Sequence, residues 1–258
     1  MKKRAADFCL AEFLLAGTHN MKLNVLYEDN HLIVVEKLAG MLVQGDKTGD
    51  LSLMDEVKKY LKEKYKKLGN VFLGLVHRLD KPVAGIVLFG KTSKGAARLS
   101  EQFRNHTIQK TYHGIVAGKL AKQKGEIKEK VSKISFFAEG FTNKSDEELL
   151  AEIKKATKTR TAELSWEVVK SNDKYSLIKI MPKTGRFHQI RIQMANMGNP
   201  ILGDKKYADI SIMRQMALDW KSQNSIALCA TAISFKTTTE DKIINLEIPL
   251  PEEWKKYV

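Results

Sequence analysis

Two apolar runs, Val71-Phe72-Leu73-Gly74-Leu75-Val76 and Gly85-Ile86-Val87-Leu88-Phe89-Gly90, stand on either side of the charged segment His77-Arg78-Leu79-Asp80. Short runs of β-forming residues bounded by turn signals read as strands. The charged segment therefore falls where a strand ends, with the Asp80 carboxylate held out of the sheet at a cleft. A nucleophile is well placed there. Taken alone, the four residues fit an ordinary Arg/Asp turn between strands equally well, so other parts of the chain must decide.

The second run also generates a competing motif. Gly85 to Thr92 matches the P-loop pattern of glycine, four residues, glycine, lysine and threonine. A phosphate cradle needs those four intervening residues to form a loop with inward-facing N–H groups, preceded by its strand. Here they are Ile-Val-Leu-Phe, which is the strand itself, and no apolar strand ending in a magnesium-binding Asp follows. That weighs against the NTPase reading.

The chain has 258 residues, enough for a sizeable core, and carries 44 Lys and Arg against 30 Asp and Glu, a net charge of +14. Such an excess favours polyanionic partners: RNA, DNA or an anionic membrane. No stretch approaches the ~18 apolar residues of a spanning helix, which makes a membrane the weakest of the three. Met1-Lys2-Lys3-Arg4 and the apolar segment Phe8 to Gly17 superficially resemble a signal peptide, but Asp7 and Glu12 interrupt it. Residues 1–20 read as an amino-terminal extension, with Met21 a candidate start, and residues 21–258 as one catalytic domain. Two cysteines, Cys9 and Cys229, cannot build a disulfide framework, so a reducing cytoplasm is expected. The six histidines form no His-Glu-x-x-His helix or zinc-spaced cluster, and no Gly-x-Ser-x-Gly elbow is present. No metal or cofactor is expected.

Strands and helices alternate along the chain. A turn at Glu28-Asp29-Asn30 precedes a strand from His31 to Val35; Ser52 to Lys67 and Lys94 to Asn105 have helical spacing; and a strand runs from Lys110 to Val116. Between Gly118 and Arg160, lysine and glutamate dominate, suggesting exposed hairpins or a mobile connection between two lobes. Strands resume over Ala162 to Lys170 and Tyr175 to Pro182. A helix is expected from His188 to Asn196, then a carboxyl-terminal hairpin. The fold class is mixed α/β (α+β), with a basic cleft.

Several segments, in order, resemble the RluA family of RNA pseudouridine synthases. Beyond His77-Arg78-Leu79-Asp80, these are Lys110-Thr111-Tyr112, the Thr-Gly-Arg-x-His-Gln-φ-Arg motif at Thr184 to Arg191 (φ apolar), and Pro200-Ile201-Leu202-Gly203-Asp204. Leu26-Tyr27-Glu28-Asp29 and Ile33-Val34-Val35 resemble the family's opening strands. The resemblance covers residues from about 23 to the carboxyl end. It departs from the family at Val83-Ala84, where Thr-Ser is usual, at Leu38, where Pro is usual, and at Cys229, where His is usual.

The resemblance implies a largely antiparallel pseudouridine synthase sheet in two lobes flanked by helices; the S4-type RNA-binding domain that many relatives carry is not expected, because the twenty residues before the catalytic region leave no room for it. It implies an enzyme that isomerises specific uridines in ribosomal or transfer RNA by aspartate nucleophilic catalysis with base flipping. Asp80 would be the nucleophile, Arg191 its ion-pair partner, and Tyr112 the residue that packs on the base and takes the C5 proton. Arg78, Lys110, Arg186 and His188 would bind substrate, Arg78 by holding the base or filling its vacated place. Lysines at 119 to 133 and 58 to 67 are candidates for phosphate contacts. The expected partner is RNA, with no membrane and no obligate protein partner, the protein acting as a monomer. The remaining alternatives are a non-catalytic RNA-binding relative, which would lack Asp80 or Arg191, and the disfavoured P-loop NTPase.

Overall fold

The computed structural model describes residues 23–47, 49–131 and 159–258. The expected extension at 1–20, Cys9 and part of the lysine-rich segment lie outside them. The described residues build one ten-stranded sheet. In chain order its strands are β1 (Val25–Glu28), β2 (Leu32–Lys37), β3 (Gly74–Leu75), β4 (Ala84–Gly90), β5 (Gln109–Ala117), β6 (Lys124–Val131), β7 (Arg160–Ser171), β8 (Tyr175–Pro182), β9 (Leu228–Lys236) and β10 (Ile243–Glu247). Their spatial order is β1-β2-β4-β9-β5-β8-β7-β6, with β3 alongside β4 and β10 alongside β9.

Every pairing is antiparallel except one. At the centre, β4 meets β9 in parallel through Ala84 with Cys229 and Gly85 with Ala230. This short seam joins one half-sheet, β1 to β4, to the other, β5 to β10. Gly85 makes the approach possible: its φ is +126°, and a Cβ there would lie 2.4 Å from the Ala230 carbonyl oxygen. The central strands β2 and β4 are apolar because they are buried nearly throughout. At the far edge, β6 alternates exposed Lys and Glu, a composition that discourages pairing with another chain.

Of the two expectations for the lysine-rich region, the described parts of 118–160 meet the exposed hairpin: they contribute β6, paired with β7 and confined to one half-sheet. Gly85 to Gly90 lies in the buried strand β4, and the Lys91 ammonium is held by the Glu28 carboxylate at 2.6 Å, so the P-loop resemblance has no structural counterpart.

Helix α1 (Leu53–Lys64) starts with a capping box between Ser52 and Asp55. Helix α2 (Ser93–Arg104), capped by Thr92, follows β4. Helix α3 (Gln189–Asn196) follows β8, and α4 (Ile210–Asp219), which the sequence reading did not anticipate, follows the Gly203-Asp204 turn.

Helix α3 is buried over six of its eight residues, including Gln189, Arg191 and Gln193. Burying three polar side chains requires partners. The Gln189 and Gln193 amides donate to the carbonyls of Glu163 and Ala162 on β7, and Gln189 Oε1 accepts from Thr184 and from the Arg186 backbone. Polar bonding to β7, more than an apolar stripe, fixes this helix. It thereby aims Arg191.

Candidate active site

Asp80 sits in the loop between β3 and β4, on the first half-sheet, and its side chain is 26% exposed. Hydrogen bonds from two sides fix this loop from beneath. Lys37, wholly buried at the end of β2, donates to the carbonyls of Leu38, Met41 and Lys81 at 3.1, 2.7 and 3.1 Å, and the Gly40 amide donates to Lys81 as well. His77 accepts the Leu88 amide on Nε2 at 2.9 Å and stacks on Phe103. Burial, with the nearby Lys110 charge, pushes the His77 pKa down to about 3, so the ring is a neutral structural acceptor.

The second half-sheet supplies the facing groups. Arg191 Nη1 donates to Asp80 Oδ2 at 3.2 Å. Its Nε and Nη2 are engaged by Asp204, at 2.6 and 2.8 Å, in a buried bidentate pair whose side chains are 6% and 1% exposed. Asp204 thus fixes the guanidinium while its remaining edge faces Asp80. The turn carrying Asp204 depends on Gly203 (φ +85°), where a Cβ would lie 2.5 Å from the Trp220 ring. Burial raises the Asp80 pKa above its ordinary value; Arg191 and Lys37 oppose the rise, and the Asp204 charge adds to it.

His188 precedes α3 in the left-handed conformation, φ 50° and ψ 25°, with no side-chain cap. Such backbone in a residue other than glycine costs about 1–3 kcal/mol and is concentrated at functional sites. Its Nδ1 lies 2.6 Å from the Tyr207 hydroxyl, and its Nε2 lies 3.6 Å from Asp80, beyond hydrogen-bonding distance. Burial, reinforced by Arg191 and Lys206, pushes its pKa down to about 3, so the ring is neutral. With the Tyr207 hydroxyl donating to Nδ1, the tautomer inferred from this network directs Nε2–H toward Asp80.

Tyr112 lies on β5, where the register with β9 slips between Thr111 and Tyr112; such irregularities re-aim side chains beside active sites. Burial first, then the charge of Asp80, raises its hydroxyl pKa, keeping the phenol protonated. Lys110 is partly buried, and its ammonium would lie 3.6 Å from a Cβ at Gly185. Burial lowers its pKa. Arg78 is exposed beside Asp80. Arg186 points elsewhere: its Nε donates to the Thr161 carbonyl at 3.0 Å, pinning the loop to β7.

The structure therefore brings Asp80, Arg191 and His188 together, puts Tyr112 near enough for its hydroxyl to feel the Asp80 charge, and places Lys110 and Arg78 at the margin. It adds Asp204, Tyr207 and Lys37, to which the sequence reading gave no role. Two of the departures from the family pattern meet: Ala84 and Cys229 are partners across the seam. Burial first, then Glu36 and Glu253, pushes the Cys229 thiol up to about 12, leaving it neutral. Among the described residues, no cluster of three or more His, Cys, Asp or Glu side chains is arranged to hold a metal ion.

The sequence pattern of the RNA pseudouridylate synthase family matches residues 31–196, a span containing both Asp80 and Arg191. The tRNA pseudouridine synthase C of Haemophilus ducreyi is 32% identical over 241 residues, covering 91% of this chain and 94% of that protein. The ribosomal large subunit pseudouridine synthase C of Buchnera aphidicola is 28% identical over 246 residues, covering 95% and 73%. In fold, the chain is similar to the solved structure of human RNA pseudouridylate synthase domain containing 4, with a TM-score of 0.69, 22% identity and 90% of each chain covered. The chain belongs to the RNA pseudouridylate synthase family. It is accordingly an RNA pseudouridine synthase.

Proposed function

We propose that this enzyme isomerises uridines of ribosomal or transfer RNA, with Asp80 as nucleophile, residues 21–258 forming the catalytic domain, and the monomer acting in the cytoplasm. No described helix is long and apolar enough to cross a membrane. The observation that carries the mechanism is the Asp80–Arg191–Asp204 chain. It holds an ionisable carboxylate at the surface and commits the remaining guanidinium edge to it.

The reaction breaks the N1–C1′ bond, turns the base and joins C5 to C1′ before the C5 proton leaves. The ionised Asp80 carboxylate acts on the sugar or base. Arg191 supports the ionised form against burial and orients it. Neutral His188 presents an N–H toward Asp80 without competing for its charge. Once the uridine leaves its stack, the Tyr112 ring packs on the base and its hydroxyl faces the C5 proton. Because that hydroxyl stays protonated, it can accept this proton only as it passes on its own. Arg78 and Lys110 hold the flipped nucleotide, and exposed lysines contact phosphates. Lys128 is paired with Glu163, but exposed ion pairs contribute little and yield readily to phosphate.

Mapping pseudouridine in total RNA from cells with and without the gene tests this reading and identifies the target. Sites that vanish from ribosomal or transfer RNA and return with the wild-type gene, but not with Asp80→Asn, are expected. Purified enzyme is also expected to modify a short stem-loop carrying that site in excess EDTA.

A further inference from the structure

The variable position of the Thr-Gly-Arg-x-His-Gln-φ-Arg motif holds Phe187, whose surface is 52% exposed. An exposed phenylalanine next to a catalytic centre has not been placed there by core packing. Its ring is stacked on that of His188, with centroids 3.8 Å apart and planes 15° apart. Neighbouring residues seldom stack: strands send successive side chains to opposite faces, and helices turn them by about 100°. Here the left-handed backbone of His188 separates the two regular geometries and accompanies the parallel rings. The Lys206 ammonium lies 5.9 Å from the Phe187 centroid and 5.7 Å from that of Tyr207. A flat apolar ring and a cation thus stand together, one ring's thickness from the histidine that faces Asp80.

We propose that Phe187 and Lys206 form a subsite for a nucleotide directly flanking the target uridine, with its base stacked on Phe187 and its phosphate near Lys206. The spacing supports this assignment: the two rings, 3.8 Å apart and nearly parallel, are close to the separation of stacked bases, so a further base can extend the stack on Phe187 beside the His188 edge that faces Asp80. Aromatic platforms beside cations are the usual means of holding unpaired nucleotides. The proposal rests on Asp80 being the nucleophile, which places this ledge at the site.

The test is a double-substitution cycle in single-turnover kinetics, using an RNA in which the wild-type enzyme forms pseudouridine. Phe187→Leu keeps apolar bulk over His188 but loses the flat ring; Phe187→Trp restores one. On intact RNA the leucine variant should lose about 5- to 150-fold in kcat/KM, corresponding to one base stack, and the tryptophan variant should recover most of it. On RNA made abasic at one of the two nucleotides flanking the uridine, wild type and Phe187→Leu should become equal. Lys206→Gln should reduce the salt slope of binding by about 0.7, one phosphate on a single strand. Wild-type turnover on the same RNA reads the nucleophile assignment separately, through its abolition in Asp80→Asn. A leucine variant equal to wild type on intact RNA, or an equal loss with both abasic RNAs, would overturn the subsite while leaving the enzyme's function standing.

Discussion

Replacing Asp204 with asparagine preserves size and removes one charge from the buried pair that holds Arg191. Breaking a buried ion pair from one side costs about 3–5 kcal/mol because the remaining charge is left without its partner. Arg191 keeps its contact with Asp80 at 3.2 Å, so the lower end, about 3 kcal/mol, is expected. For a chain of this length that corresponds to a fall in Tm of about 6–12 °C, measurable by thermal denaturation. Two of the guanidinium's three anchoring contacts are weakened, and misplacing a catalytic group by an ångström costs about 100-fold in rate. The pH dependence separates mechanism from simple destabilisation. Burial raises the Asp80 pKa most, and the Asp204 charge adds to it. Removing that charge alone would let Asp80 ionise at lower pH, but loosening Arg191, which lowers the Asp80 pKa more than Asp204 raises it, outweighs this. The acid limb of the single-turnover pH–rate profile, which follows Asp80 ionisation, should move up in pH while the maximum rate falls. A variant with wild-type Tm and an unmoved acid limb would refute the account of how Arg191 is held.

Asp80→Asn should reduce pseudouridine formation to background while preserving RNA binding. Because burial makes the ionised carboxylate costly in the folded state, its Tm at pH 7 should be no lower than wild type; a lower Tm in thermal melts would contradict the raised pKa. Tyr112→Phe retains the stacking ring but loses the hydroxyl. It should bind RNA nearly normally in a filter assay yet turn over at least ~100-fold more slowly, whereas near-wild-type rates would reduce Tyr112 to a stacking platform. Log affinity for RNA should fall linearly with log salt, with ~0.7 per neutralised phosphate on single strands, and a flat dependence would reject the electrostatic reading of the +14 charge. Burial alone would raise Glu28, but bonds from Lys64, Lys91 and Tyr65 reverse this and bring it down to about 2. Its stabilising contribution should be present above the ordinary glutamate range and fade as the pH falls toward 2; equal acid sensitivity of Glu28→Gln and wild type in pH-dependent melts would count against it.

The setting of Asp80 was legible because it depends on local chemistry: two apolar runs become strands, and a charged segment between them is forced into a loop. The helix carrying Arg191 was legible as a helix. The identity of the carboxylate that anchors Arg191 was not. Asp204 stands in a segment whose resemblance was visible, but one-dimensional spacing does not show that its two oxygens meet Nε and Nη2 of a residue in the preceding helix. Lys37 escaped notice for a related reason: a lysine ending a strand normally reaches water, and only the tertiary fold shows it capped by three carbonyls. For the segment that forms β6, an exposed hairpin and a mobile connection both stayed open, because Lys/Glu-rich composition reports exposure, which an edge strand and a connecting loop share.

The seam at Gly85 and Ala230 has a consequence for how the enzyme acquires activity as it folds. Within each half-sheet most neighbouring strands are near in sequence, but the seam, like the β5–β9 pairing beside it, joins residues from distant parts of the chain. These closures carry the greater loop entropy and belong late in folding. Asp80 comes from one side of the seam, and Arg191 and Tyr112 from the other. Regain of turnover during refolding should consequently lag behind regain of secondary structure, with catalysis recording the docking of the two half-sheets.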